Sequence, residues 1–197
     1  MLQREIGIAL RVTFATLVLT GFLYPLAMTG VAQLVAPAQA NGSLVTDEHG
    51  QVVGSALIGQ PFTKAGYLWP RPSAAGTNGW DATSSSGSNL GVTSQKLHDR
   101  AAADVERLRA ANPDAPAAIP AELVAASASG LDPHLSPEAA LWQAPRVAHA
   151  RNVDPDRVRA VIESQVEPRA FGFLGEPRVN VLLVNLALDR QFGRAVE

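Results

Sequence analysis

The sequence predicts an α+β fold, with one N-terminal transmembrane helix followed by a single extracytoplasmic domain, short strands first and several helices after. Three observations carry that expectation. A long uncharged apolar run stands near the N-terminus, turn-punctuated short apolar runs follow it, and helical periodicity dominates from Thr93 onward.

From Val12 to Val35 the chain reads VTFATLVLTGFLYPLAMTGVAQLV, with no charged residue. As a helix this run is about 36 Å long, enough to cross a hydrocarbon core of about 30 Å with some tilt. Gly21, Pro25 and Gly30 weaken a soluble helix but are tolerated in a membrane span. Arg4 and Arg11 precede the run, and the next charge is Asp47. The rule that basic flanks stay inside predicts residues 1–11 as a cytoplasmic N-terminus, 12–35 as the span and 36–197 as the outer domain. A secretory signal peptide competes with this reading, because Ala38-Gln39-Ala40 resembles a cleavage site. The run exceeds the usual signal core of about 7–15 residues, which favours a retained anchor. Either reading puts the larger domain outside the cytoplasm.

Beyond the span, Ser43-Leu44-Val45 and Val52-Val53 flank Asp47-Glu48-His49-Gly50, the pattern of a hairpin with its loop at Gly50. Pro61, Pro70 and Pro72 break the next segment, leaving Tyr67-Leu68-Trp69 extended between them. Residues 73–93 are rich in Ser, Gly, Asn and Thr and predict a long loop. A helix then starts at Thr93 or Ser94, with Leu97, Ala101, Val105 and Leu108 on one stripe, and ends at Asn112-Pro113. A short helix is expected over Pro120–Ala126, and another over Pro137–Gln143, which Pro145 interrupts or restarts. Ser136 before Pro137-Glu138 and Asp154 before Pro155 have the pattern of helix caps. Val158, Val161, Ile162 and Val166 form the apolar face after Asp154. Spacing over Val179–Phe192, with Val179, Leu182, Leu183, Leu186 and Arg190, favours helix over strand.

Composition narrows the chemistry. The formal net charge is -2 and 17% of residues are charged, so no nucleic-acid footprint is visible. The absence of cysteine excludes disulfides, thiolate metal sites and thiol catalysis. His49, His98, His134 and His149 are scattered, with no metal-binding spacing. The loop Ser84–Gly91 has small residues that suit a phosphate cradle, but no lysine follows before Lys96, and a structural loop is the stronger reading. Residues 127–136 collect Ser127, Ser129, Asp132, His134 and Ser136, the ingredients of a Ser-His-Asp hydrolase. Triad members normally come from separate segments, and Ser127-Ala128-Ser129-Gly130 lacks the first glycine of a nucleophile elbow. An anchored or secreted hydrolase using this loop is therefore the alternative function.

A series of motifs resembles one family, in order along the chain. They are Gly54-Ser55-Ala56-Leu57-Ile58-Gly59-Gln60-Pro61-Phe62, Arg71-Pro72-Ser73-Ala74 and Ser86-Gly87-Ser88-Asn89-Leu90-Gly91. Ser129-Gly130-Leu131-Asp132-Pro133-His134-Leu135-Ser136-Pro137, Arg146-Val147-Ala148 and Gly172–Leu182 complete the set. With the apolar span they resemble the C subunit of the bacterial Kdp potassium pump. Trp69-Pro70 and Val92 depart from that family's usual pattern. The resemblance implies a non-catalytic accessory subunit, retained in the cell inner membrane by one span. Its partners would be a channel-like potassium-binding subunit, a P-type ATPase subunit, a very small single-span subunit and membrane lipid. Potassium is then the transported ion of the complex, and ATP acts through the ATPase subunit. The family's C subunit has been proposed to be a catalytic chaperone that raises ATP affinity; direct nucleotide contact conflicts with an outer domain. The resemblance singles out Gln60, Arg71, Ser73, Ser86, Gly87, Ser88, Asn89, Asp132, His134, Glu176, Arg178 and Asn180 as motif residues and candidate partner contacts. No catalytic or metal-ligating residue is expected.

Overall fold

In the computed structural model, which describes residues 2–195, one helix of 34 residues runs from Leu2 to Val35. It comprises α1 (Leu2–Val18), a π-helical turn (Leu19–Leu23) and α2 (Tyr24–Val35). The helix begins well before the uncharged run, because residues 2–11 are mostly good helix formers. The wide turn has a local cause. Pro25 has no N–H, and its ring would press on the carbonyl of Gly21 four residues back. Tyr24 N–H instead reaches back to the Leu19 carbonyl, which opens the turn and relieves that clash. The Thr16 and Thr20 hydroxyls donate to the Val12 and Thr16 carbonyls at 2.7 and 2.8 Å, so both are satisfied within the apolar stretch. The helix is long and apolar enough to cross a membrane.

The chain divides into two compact units between Leu44 and Val45. A helical turn, α3 (Pro37–Ala40), follows α2 in the first unit. Asn41 and Gln33 exchange side-chain amide hydrogen bonds of 3.1 and 3.2 Å, which ties this turn to the end of α2. Met1, Val196 and Glu197, which fall within the expected boundaries 1–11 and 36–197, lie outside the described residues.

The second unit opens with the hairpin of β1 (Leu44–Thr46) and β2 (Val52–Ser55). Its loop closes on the Asp47 carboxylate, which accepts the His49 and Gln51 N–H groups, both at 2.9 Å. A long irregular stretch leads to α4 (Gln95–Ala111), then to a single 3-10 turn at Ala121–Leu123 where a short α-helix was expected. Next come β3 (His134–Leu135), α5 (Pro137–Trp142), α6 (Ala144–Arg151) and α7 (Pro155–Ser164). β4 (Val166–Glu167), β5 (Arg178–Asn180) and α8 (Val181–Phe192) finish the unit. The class is mixed helix and strand as expected, but the strands are not confined to the front. β3, β5 and β4 form an antiparallel sheet in that order, with Leu135 and Val166 both opposite Val179.

Two sequence expectations change here. Val166 leaves the α7 face and enters β4, because Gln165 has already capped that helix. The segment expected as one helix from Val179 is strand first. Its helix starts at Val181, where the Asn180 side chain accepts the Leu183 N–H at 3.2 Å. That later start moves the buried face of α8 to Val181, Leu182, Val184, Asn185 and Leu188.

The core gathers Leu108 of α4, Leu123, Leu135 of β3, Val147, Val158, Ile162, Val179, Val184 and Leu188 around Leu68. Residues 67–69, expected to be extended, form a strap that begins at a bend on Tyr67 and joins no sheet. Buried side-chain amides take the place of a neighbouring strand. Asn185 accepts the Leu68 N–H at 2.8 Å and donates to its carbonyl at 3.1 Å. Gln143 does the same for Trp69, at 2.9 and 3.0 Å. Arg146, 6% exposed, reinforces this strap. Its guanidinium donates to the Ala65 and Tyr67 carbonyls, Gln143 Oε1 and Asn112 Oδ1, and lies 3.9 Å from the Trp69 ring centroid. Burial, with Arg107 nearby, pushes Arg146 down to about 9, so it remains charged at neutral pH. At the far end of the strap Arg151 holds the Gly66 and Gly193 carbonyls and Asp189. Asp189 also accepts the Tyr67 hydroxyl at 2.9 Å, and desolvation together with that bond pushes the Tyr67 phenol up.

Candidate functional site

Three chain segments meet beside the β3–β5 edge of the core: residues 54–62, 71–91 and 127–136. None of the loop in 71–91 has regular structure, so its order must come from side chains and close backbone contacts. Ser73 is the hub. Its hydroxyl donates to the Gly130 carbonyl at 2.6 Å and accepts the Trp80 and Ala75 N–H groups at 2.8 and 3.2 Å. Ser86 donates to the Ala74 carbonyl at 3.0 Å, and Ser85 to the Ser129 carbonyl at 2.9 Å. Backbone bonds add Ser127 N–H to the Pro72 carbonyl at 3.2 Å and Gly59 N–H to the Leu131 carbonyl at 2.8 Å.

Glycines let these backbones touch. A Cβ on Gly59 would sit 2.6 Å from the Asp132 carbonyl, and one on Gly87 would sit 2.9 Å from the Ala128 carbonyl. Gly130, at φ +68, is pressed between the Ser86 carbonyl and the Ala75 N–H.

Asp132 joins the segments electrostatically. One carboxylate oxygen accepts Arg71 at 3.1 Å, and the other accepts the His134 N–H at 3.0 Å and lies 3.5 Å from His134 Nδ1. His134 sits in β3 opposite Asn180. Asn180 in turn donates to the Ala56 carbonyl at 2.8 Å, so it links the 54–62 segment to the cap of α8. Gln60 folds back on Gly54 and donates to the Val53 carbonyl at 2.9 Å. Gln60, Arg71, Ser73, Ser86, Gly87, Asp132, His134 and Asn180 thus lie in one continuous set of contacts. Glu176 and Arg178 do not join it. They pair with Arg169 and Glu167 along the β4–β5 hairpin.

Ser88 lines an open polar cavity of about 540 Å³, together with Ser73, Asn78, Lys96 and Arg100. Neighbouring Asn89 is exposed and adopts φ +51. Among the described residues no carboxylate is paired with either Lys96 or Arg100, and Arg100 Nε is buried without a hydrogen-bond partner. The cavity is therefore electropositive.

The hydrolase ingredients do not converge. The Ser136 hydroxyl donates to Glu122 Oε1 and accepts the Ala139 N–H at 3.1 Å, the geometry of a capped α5. Ser127 and Ser129 hold the Gly130 and Leu131 N–H groups at 3.2 and 3.1 Å. No serine hydroxyl is hydrogen-bonded to His134 among the described residues. Asp154 caps α7 by accepting the Asp156 N–H at 2.8 Å. Ser136→Ala is expected to cost about 1–2 kcal/mol of unfolding free energy, read by urea denaturation, because it removes the cap and leaves Glu122 short of a donor. No group of three His, Asp or Glu side chains suited to a metal ion occurs among the described residues.

Gln143 and Asn185 carry no motif in the sequence, and Arg146 stands out there only within Arg146-Val147-Ala148. The signal was present: Asn185 is a polar residue in phase with Val181, Leu182 and Leu188, and Gln143 is in phase with Ala139 and Ala140. A polar side chain on the buried stripe of a helix implies a buried backbone group to satisfy.

Comparison with known proteins adds the family. The model of the family described as "KdpC: K+-transporting ATPase, c chain" matches residues 6–190. A protein of Myxococcus xanthus is 68% identical over 185 residues, covering 94% of this chain and 87% of its own length. One of Rhodospirillum rubrum is 55% identical over 182 residues, covering 92% and 93%. One of Rhodopseudomonas palustris is 50% identical over 197 aligned positions, covering 94% and 98%. All three are named potassium-transporting ATPase KdpC subunit.

Proposed function

The chain belongs to the KdpC family, the c chain of K+-transporting ATPases, and from that premise we propose that it is a non-catalytic accessory subunit of a high-affinity potassium pump. Its first unit anchors it in the inner membrane and its second unit works on the outer face. Its partners are the channel-like potassium-binding subunit, the P-type ATPase subunit and the small single-span subunit. Potassium is the ion that the assembled complex moves.

The observation that carries this reading is the state of the polar groups where the three loops meet. Ser73 and Ser86 spend their hydroxyls on backbone groups, Asp132 its carboxylate on Arg71 and the His134 N–H, and Ser136 its hydroxyl on Glu122 and the Ala139 N–H. Such groups build a rigid surface; a catalytic nucleophile needs a base within reach instead. A rigid surface made of several loops suits docking onto a partner, with Gln60, Arg71, Ser88, Asn89 and His134 at or near its exposed rim. Glu176 and Arg178 lie apart from this surface, paired with Arg169 and Glu167 on the β4–β5 hairpin.

Orientation follows from Arg4 and Arg11 before the span and the absence of Lys or Arg from Val12 until Lys64. With the second unit outside, its electropositive cavity at Lys96 and Arg100 does not meet cytoplasmic ATP. Any rise in ATP affinity is then transmitted through the complex to the ATPase subunit. Cysteine-free sequence makes the topology directly testable. A single cysteine introduced at Val92 or Asn89 should react with a membrane-impermeant maleimide in intact spheroplasts. Labelling only after lysis would put the unit inside and restore direct nucleotide contact.

A further inference from the structure

The connection between β4 and β5 holds an apolar tip that no other part of the second unit covers. Phe171, Phe173 and Leu174 are 88%, 71% and 51% exposed. Phe171 and Phe173 are the only exposed aromatic side chains after the apolar helix among the described residues. The tip is not a loose loop. Ala170 and Leu174 exchange backbone hydrogen bonds of 2.9 Å each, and Gly172 N–H reaches the Arg169 carbonyl at 3.0 Å. Phe171 adopts φ +53, a conformation that a bulky side chain rarely takes. The backbone thus holds an aromatic ring outward, with no core to reward it. Charge is arranged around the base. Arg169 pairs with Glu176, and Arg178 with Glu167, so the apolar tip rises from a ring of ion pairs.

We propose that this tip is a membrane-contacting knob: Phe171, Phe173 and Leu174 enter the headgroup–acyl boundary of the bilayer that holds the N-terminal helix. Arg169 and Arg178 then sit at the height of the lipid phosphates. Two phenylalanines and a leucine on a convex, internally bonded turn need no shaped socket, only an apolar layer. A base of Arg–Glu ion pairs behind an apolar tip matches the change from acyl chain to headgroup. The chain itself keeps the layer close. Segment 36–43 spans at most about 28 Å even when fully extended, so the bilayer is present at high effective concentration and weak insertion suffices. The proposal rests on the anchoring helix and does not depend on which membrane face the second unit occupies.

The absence of native cysteine allows a clean test. Phe173→Cys, carrying a bimane fluorophore, is placed in the full chain in nanodiscs of phosphatidylethanolamine and phosphatidylglycerol. Val92→Cys, at a residue 84% exposed on another loop, is the control. Lipid carrying a shallow nitroxide is expected to quench position 173 at least about twofold more than position 92. Equal quenching at the two positions would overturn the knob. So would the assembled pump shielding position 173 from both lipid and aqueous quenchers, which assigns the tip to a protein socket. Failure of the anchor itself has a different signature, because the chain would then not co-elute with the nanodiscs.

Discussion

Arg146→Ala is expected to lower the unfolding free energy of the second unit by about 3–5 kcal/mol, the range for breaking a buried, fully bonded charge. The removed guanidinium is 6% exposed and donates to two carbonyls and two side-chain amides. Its loss leaves the Ala65 and Tyr67 carbonyls without this donor and uncovers the face of Trp69. Because Gln143 Oε1 is shared between Arg146 and the Trp69 N–H, the whole strap at 67–69 loosens. Arg146→Lys is expected to recover less than roughly half of this, since an ammonium cannot present a planar fork to separated acceptors. Urea denaturation followed by tryptophan fluorescence reads both, and a loss below about 1 kcal/mol for Arg146→Ala would show that the strap holds without it.

Gly130→Ala is expected to cost about 2–4 kcal/mol, because it combines backbone strain with a clash that no side chain can relieve. At φ +68 the added Cβ would lie 2.6 Å from the Ser86 carbonyl and 2.7 Å from the Ala75 nitrogen. Both neighbours are backbone, so the loops must part. Limited proteolysis should then cut residues 71–91 faster than in the parent chain. Gly91→Ala is the internal control. Nothing lies within 4 Å of its Cβ position, and its effect should stay within about 0.5 kcal/mol.

What the sequence made legible follows from how local each cause is. The apolar helix, the hairpin at Asp47 and the caps at Ser136 and Asp154 depend on neighbours a few residues away, and the reading from residues found all of them. α4 and α7 were visible through their apolar stripes for the same reason. The three-stranded sheet was not. β3, β4 and β5 are two or three residues long, too short for an alternating pattern to stand out, and their pairing joins residues far apart in the chain. Val166 and Val179 read as helix positions in the sequence because an isolated valine fits either period. The loop assembly was half legible. Its serines and glycines announced close-packed turns, but the pairing of Ser73 with Gly130 or Arg71 with Asp132 is set by tertiary contact alone. The apparent triad dissolves on the same ground: its members lie together in sequence, yet each hydroxyl faces a different backbone group.

An accessory subunit works only within its pump, and a mild-detergent affinity purification of the full chain from its native membrane tests that most directly. ATP hydrolysis that rises with added potassium and elutes together with the tagged chain is the predicted result. A chain that elutes alone, with all potassium-stimulated hydrolysis left in the unbound fraction, would contradict it.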